Sequence, residues 1–442
     1  MSKELSIEIT HKFEHTTISD GELDEIFDYV AWKKKPYFPY RGRVAWYIFK
    51  NDVELRLNGY SAPLKAAKIK GIGGYNPPND AKNRDPIFNT TTLEPFQPTS
   101  LPLDSFASYP HIGFDTDGEF TFVYGKLAPI GGILHSRAIA EYECALHLLN
   151  NKVPAITPLA VARYKEDFSF LNEPMGAVIC LSPSKYPYRM SEIQYGAALR
   201  RGADVHRDEF YCEVLRALEI SGDPGSESTR LMALKLIGSK VGKLMHDFSF
   251  SGLYRYSAEL PNFEFDFIRN EVVLTDLDSS AFLNTLSGPL VRLQVLRDLG
   301  SMVYHFIAKF ANPLALGHYS IQNLLQYNPV IDLIRGYFPA ASIERVEQIS
   351  IRLWRFFIPH FMLINRHREK IQNEWSTERR RSYKMDHDLF FVLAIISLYP
   401  LFEECDLGAR YADNSITEKS LMSKAERYLA DRTAYLEYLL RL

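Results

Sequence analysis

Between Leu260 and Ser280 the chain reads Leu-Pro-Asn-Phe-Glu-Phe-Asp-Phe-Ile-Arg-Asn-Glu-Val-Val-Leu-Thr-Asp-Leu-Asp-Ser-Ser, two short apolar runs flanked by one amide and several carboxylates. The alternation predicts a hairpin of strands over 263–267 and 272–274, with Arg269 and Asn270 near its turn. Such a hairpin brings Asn262, just before the first strand, close to Asp276, just after the second. An amide oxygen and a carboxylate converging there suit a hard cation, Mg²⁺ or Mn²⁺, which keeps several waters and completes its shell with phosphate oxygens. The alternative is that Asp276 and Asp278 are solvated turn residues, as isolated Asp-x-Asp pairs commonly are. The choice turns on whether other parts of a phosphate site lie upstream.

Upstream, the sequence to about residue 72 is β-rich. Runs at 44–49 and 53–57 are predicted as two strands joined by a turn at Lys50-Asn51-Asp52. The following run, Leu64-Lys-Ala-Ala-Lys-Ile-Lys-Gly-Ile-Gly-Gly, places Lys68 and Lys70 on one face of a further strand, just ahead of glycines. One of these lysines could reach a phosphate; taken alone, the run reads more simply as two solvent-facing lysines on an edge strand. Residues 75–99, rich in Pro, Asn, Asp and Thr, read as a long surface loop. A hairpin turning at Asp117-Gly118 follows. Gly125, Gly131 and Gly132 then precede a helix over 136–150 with Ile139, Tyr142, Leu146 and Leu149 as its apolar stripe and Glu141 off that stripe. These glycines match neither phosphate-loop pattern. Two more strands, over 153–164 and 175–181, complete a five-stranded lobe.

The succession Glu54-Leu-Arg-Leu, Lys68-Ile-Lys-Gly-Ile-Gly, Ile133-Leu-His-Ser-Arg-Ala-Ile-Ala-Glu-Tyr, Val153-Pro-Ala-Ile-Thr-Pro-Leu-Ala-Val and Gly176-Ala-Val-Ile resembles the selenoprotein-O family of kinase-like protein adenylyltransferases. The resemblance implies that Lys70 is the phosphate-binding lysine, with Lys68 next in line, and that Glu141 is its helix partner. It implies that Arg189, in Ser184-Lys-Tyr-Pro-Tyr-Arg, binds phosphate. Ser251-Gly-Leu-Tyr-Arg-Tyr-Ser-Ala-Glu-Leu-Pro-Asn262 is similar to the family segment that ends in a catalytic Asp and a metal-binding Asn. Asn262 matches, and Pro261 stands where the Asp is expected. Leu274-Thr-Asp276-Leu is similar to the family's metal-binding Ile-Asp-Tyr-Gly. Proline cannot accept a proton, so Glu259 or Asp278 is assigned as the substitute base. The resemblance spans roughly residues 50–285 and is interrupted by an insertion over about 75–130.

A net charge of −3 gives no basic field for nucleic acid, and four scattered cysteines form neither a zinc pattern nor a disulfide framework. The polar start and the lack of a membrane span point to a cytoplasmic protein; the apolar run 389–402, interrupted by Pro400, is predicted as a buried helix. His246-Asp247 reads as a cap or core pair, because neighbouring helix residues face different directions. Beyond residue 287 helices are predicted over 290–310, 342–375 with a break at Pro359, 387–398 and 418–442, and the charged run 378–384 as a solvated face.

The expected fold is α+β, a two-lobed protein-kinase-like architecture with a long helical C-terminal extension: residues 1–190 as a β-rich nucleotide-binding lobe, 191–442 as a helical lobe carrying the metal-binding hairpin, and the nucleotide in the cleft between them. The expected function is ATP-dependent transfer of AMP or phosphate to a protein, peptide or small-molecule hydroxyl, with ATP and Mg²⁺ or Mn²⁺ as cofactors. The alternative is a nucleotide-binding pseudokinase acting as a scaffold.

Overall fold

A five-stranded antiparallel sheet carries the residues of interest. In the computed structural model, residues 4–39, 44–57, 60–73, 110–124, 132–170, 172–191, 193, 205–255, 260–310, 319–368 and 377–441 are described. The chain opens with strand β1 (Ile7–Lys12), helix α1 (Asp20–Val30), β2 (Val44–Leu57) and β3 (Tyr60–Lys70). The hairpin β4 (Pro110–Phe114) and β5 (Phe120–Tyr124), helix α2 (His135–Asn150), β6 (Thr157–Tyr164), the ribbon β7 (Ser169–Phe170) and β8 (Glu173–Pro174), and β9 (Gly176–Ser182) follow. The residues after β9 are mainly helical.

Two compact units divide this chain. The first takes its residues from Met1–Tyr109, Tyr124–Pro187 and Leu274–Ser280, the second from Pro110–Val123, Tyr188–Val273 and Ala281–Leu442. The division is therefore not a single cut near residue 190: the strip after the predicted hairpin belongs with the N-terminal sheet.

In the first unit the strand order is β1-β6-β9-β3-β2. Five strands were expected, with a different membership. The turn predicted at Lys50-Asn51-Asp52 is absent, and β2 runs through it as one strand with a register shift between Ile48 and Val53. An irregularity of this kind absorbs extra residues without ending the strand. Here α1 holds it in place, because the Glu22 carboxylate accepts the Lys50 backbone N–H at 2.9 Å. The fifth strand is β1, pairing with β6. Helix α1 starts where Ser19 accepts the Glu22 backbone N–H, the usual reason a serine opens a helix.

Helix α2 lies on the sheet against β6 and β9. Its buried face is Ala138, Glu141, Tyr142, Cys144, Ala145 and Leu148. That face is rotated from the predicted stripe: Ile139, Leu146 and Leu149 are only partly buried, and Glu141 points inward. A carboxylate occupies a core position there because a cation on the sheet meets it.

In the second unit, the helix Glu227–Phe250, opened by Ser226, packs along Pro329–Tyr337. The approach is backbone to backbone: a Cβ on Gly242 would sit 2.1 Å from the Leu333 carbonyl oxygen, and one on Gly336 2.1 Å from that of Ser239. The predicted hairpin forms, as Phe263–Asp266 paired with Glu271–Leu274, and Asn270 takes the positive φ that its turn requires. The helix Ile343–Arg368 runs through Pro359 rather than breaking there. The apolar run 389–402 lies within the helix Thr377–Glu404, and from Leu389 to Phe402 every residue except Pro400 is buried, as its all-round hydrophobicity predicts. The charged run 378–384 falls in the same helix. No helix among the described residues is long and apolar enough to cross a membrane.

Candidate functional site

Strand β3 lies inside the sheet, between β2 and β9, so its lysines are not edge residues. Lys68 is 5% and Lys70 7% exposed, against the simpler expectation of two solvated lysines. They share a face, two residues apart, as strand geometry requires. Glycine is needed directly after them: Gly71 has φ +96°, and a Cβ there would meet the Gly176 carbonyl oxygen at 2.6 Å.

Lys70 Nζ donates to Glu141 Oε2 at 3.0 Å and to Asp276 Oδ1 at 2.5 Å, and lies 3.1 Å from Asp278 Oδ1. Helix α2 supplies Glu141. The two aspartates come from the strip Leu274–Ser280, more than 200 residues beyond Lys70 in the chain. That strip enters the unit as a short parallel bridge between Ala155 and Leu274: the Ile156 N–H donates to the Leu274 carbonyl at 2.9 Å, and the Leu274 N–H to the Pro154 carbonyl at 3.0 Å. Thr275, fully buried, then accepts a hydrogen bond from Lys68 Nζ. Asp276 turns into the left-handed region (φ 59°, ψ 56°), and a single turn over Leu277–Ser279 follows, packed on α2. Asp tolerates this conformation better than most residues, at a cost on the order of 1 kcal/mol.

Burial pushes the Glu141 carboxyl up, and the negative charges of Asp278 and Asp276 add to that against the pull of Lys70. One lysine ammonium thus faces three carboxylates in a largely desolvated place. One carboxylate oxygen from each of Glu141, Asp276 and Asp278 lies within 4.8 Å of the other two. An all-oxygen, excess-anionic donor set of this kind fits Mg²⁺ or Mn²⁺ and would suit a soft thiophilic metal poorly.

Of the residues singled out from sequence, Lys68, Lys70, Glu141, Asp276 and Asp278 come together in the first unit. Asn262 and Arg189 belong to the second. There Asn262 ends the turn Leu260–Asn262 and is partly buried, and Arg189 Nη1 donates to the fully buried Glu264 at 2.5 Å. Glu259 lies outside the described residues, as do Gly125, Gly131 and the loop 75–99. His246 bonds Asp406 at 2.8 Å and sits 3.4 Å from Asp247, an arrangement that joins two helices. Sequence reasoning missed Thr275 as the partner of Lys68. Its one available signal was its place directly before the first aspartate.

No family model matches the chain, and no curated protein matches it. A solved structure of WaaP in complex with acyl carrier protein is similar over 60% of this chain and 88% of its own, at 13% identity and a TM-score of 0.30. A superposition of that quality identifies neither a shared fold nor a shared activity.

Proposed function

We propose that the protein is a kinase-like, ATP-dependent transferase whose first unit binds a metal–nucleoside triphosphate and moves AMP or phosphate onto a protein, peptide or small-molecule hydroxyl. The observation that carries this reading is the Lys70 ammonium held between Glu141 of α2 and the Asp276/Asp278 strip. A strand lysine oriented by a helix glutamate, beside acidic residues able to hold a divalent cation, is how kinase-like enzymes place phosphates. The five-stranded antiparallel sheet and the resemblance of residues 50–285 to the selenoprotein-O family support it.

In this reading Glu141 keeps Lys70 charged and oriented, and Lys70 turns from Asp276 and Asp278 to phosphate oxygens. Asp276 would hold Mg²⁺ or Mn²⁺, which supplies neutralisation of the phosphate charge. The resemblance adds Asn262 to the metal set and Arg189 to the phosphate set, and Asn262→Ala and Arg189→Ala titrations test each assignment. Asp278 or Glu259 acts as base in place of the aspartate that Pro261 replaces. That same proline favours a second reading, a nucleotide-binding scaffold without transfer.

Incubation with α- and γ-labelled ATP, Mn²⁺ or Mg²⁺ and a cell extract separates the readings. Label from α alone means adenylylation, and label from γ alone means phosphorylation. Nucleotide bound tightly, lost in Lys70→Ala, with no label transferred to protein, peptide or metabolite, supports the scaffold. Unchanged nucleotide binding by Lys70→Ala in calorimetry removes the basis for both.

A further inference from the structure

We infer that Lys68 is a positioning residue of this site, acting through the Thr275 hydroxyl; the inference rests on the metal–nucleotide reading above. A buried ammonium is held in place by its hydrogen bonds, and the one to Thr275 fixes the residue that leads into Asp276. Lys68 and Thr275 are 5% and 0% exposed, and their hydrogen bond joins an interior strand to the residue just before Asp276.

Two kinds of tether hold the strip. Lys70 grips the carboxylates of Asp276 and Asp278 themselves. The backbone pairing of Leu274 with Pro154 and Ile156, and the Lys68–Thr275 bond, grip the residues ahead of them. A cation that takes the carboxylate oxygens competes with the first kind and leaves the second untouched. With Lys70 turned to phosphate, Asp276 keeps its left-handed backbone, and so the aim of its carboxylate, through Thr275. Lys68 is therefore needed most when metal and nucleotide are bound. Outer partners that orient a metal ligand typically matter about 10–100-fold in metal affinity.

The test uses the full chain, Mn²⁺ and a non-hydrolysable ATP analogue, with Mn²⁺ binding followed by electron paramagnetic resonance and metal-free melting measured alongside. Lys68→Met and Thr275→Val are each expected to weaken Mn²⁺ binding in the presence of the analogue about 10–100-fold. Thr275→Ser, which keeps the hydroxyl, restores it, and the double variant Lys68→Met/Thr275→Val is no weaker than the worse single one. Mn²⁺ binding that survives Lys68→Met at the parent's strength overturns this inference alone. So does a loss that Thr275→Ser shares and that tracks a lowered metal-free melting temperature, which marks a packing role. A parent protein that binds no Mn²⁺ with the analogue overturns the metal–nucleotide reading and this inference with it.

Discussion

The first unit buries one lysine, Lys70, among three carboxylates, whereas the second buries one arginine, Arg297, beside the single carboxylate of Asp298. In the second cluster the polar groups are matched mostly to backbone and neutral partners. Asp298 accepts the Arg255 backbone N–H at 2.6 Å and the Gln294 amide at 3.0 Å, and Arg297 donates to the carbonyls of Ile112 at 2.9 Å and Arg255 at 3.2 Å. Such a cluster ties the β4 strand, the Leu253–Arg255 strand and the helix Pro289–Phe310 into one unit. In the first cluster the partners are charged side chains, the negative charge is in excess, and Asp276 keeps 27% of its side chain in solvent. Burial is common to both. What separates a structural cluster from a receptive one is charge balance and whether the partners can let go.

If that distinction holds, the largest effect is structural and falls in the second unit. Arg297→Ala takes the paired cation from the buried Asp298 and the Arg297 donor from the carbonyls of Ile112 and Arg255, and is expected to lower unfolding stability by about 3–5 kcal/mol in urea titration. A loss below about 1 kcal/mol, the surface-pair range, would break the comparison from that side.

Asp298 sharpens it through pH. Burial pushes its carboxyl up to about 6 from an ordinary 3.8, against the pull of Arg297. The folded state therefore holds the proton more tightly than the unfolded one. The stability this adds is fully present below pH 3.8 and is lost as pH rises through 6, a swing of about 3 kcal/mol at 1.36 kcal/mol per pKa unit. Subtracting the pH profile of Asp298→Asn from that of the parent isolates the swing; a flat difference across this window refutes it.

In the first unit, removing a carboxylate relieves repulsion instead of orphaning a donor. Asp276→Asn is expected to melt no lower than the parent without metal, while Mg²⁺-dependent ATP binding in calorimetry falls about 100-fold, near 2.8 kcal/mol. A large drop in metal-free melting would make Asp276 a structural residue like those around Asp298.

The residues of the first cluster were singled out before the structure, and those of the second, around Asp298, were not. Lys70, Glu141 and Asp276 each stand in a local pattern that the family resemblance picks out, and the hairpin ahead of Asp276 follows from alternation over a dozen residues. Depth is a tertiary property. A lysine in an alternating run looks the same on an edge as between β2 and β9, so the edge reading of Lys68 and Lys70 failed once β9 paired with β3. The stripe of α2 was misjudged for a related reason: a periodicity count scores Glu141 as surface, and only a buried ammonium opposite makes it core. The Lys50-Asn51-Asp52 turn was lost because α1 supplies a carboxylate that holds those residues inside one strand. Thr275 carried no motif of its own.

The smallest expected effect lies at the joint between the helices Glu227–Phe250 and Asp406–Arg410. Burial lowers the His246 pKa, and hydrogen bonds with Asp247 and Asp406 more than reverse this, so it ends up raised. Asp247 is also held by Lys243, and Arg410 lies over the Phe250 ring beside it. The stabilisation from His246 is present below its unfolded pKa near 6.5 and disappears as pH rises through the higher folded value. His246→Gln is expected to cost about 1 kcal/mol or less at pH 6 and nothing by pH 9. A cost that stays constant across that interval would mean that packing against Phe250 and Tyr337, not charge, holds the joint.

The strip Leu274–Ser280 also has a consequence for biosynthesis. Lys70 and Asp276 are 206 positions apart, so a chain made from its N-terminus exposes the whole sheet before either aspartate exists. At about 5–20 residues per second, Lys70 waits roughly 10–40 s for Asp276, and the sheet, whose last strand ends at Ser182, waits roughly 5–20 s with two ammonium groups facing an unfinished interior. During that interval Glu141 is the acidic partner already made for Lys70, and the first unit to begin emerging reaches its native electrostatics only after much of the second has been translated.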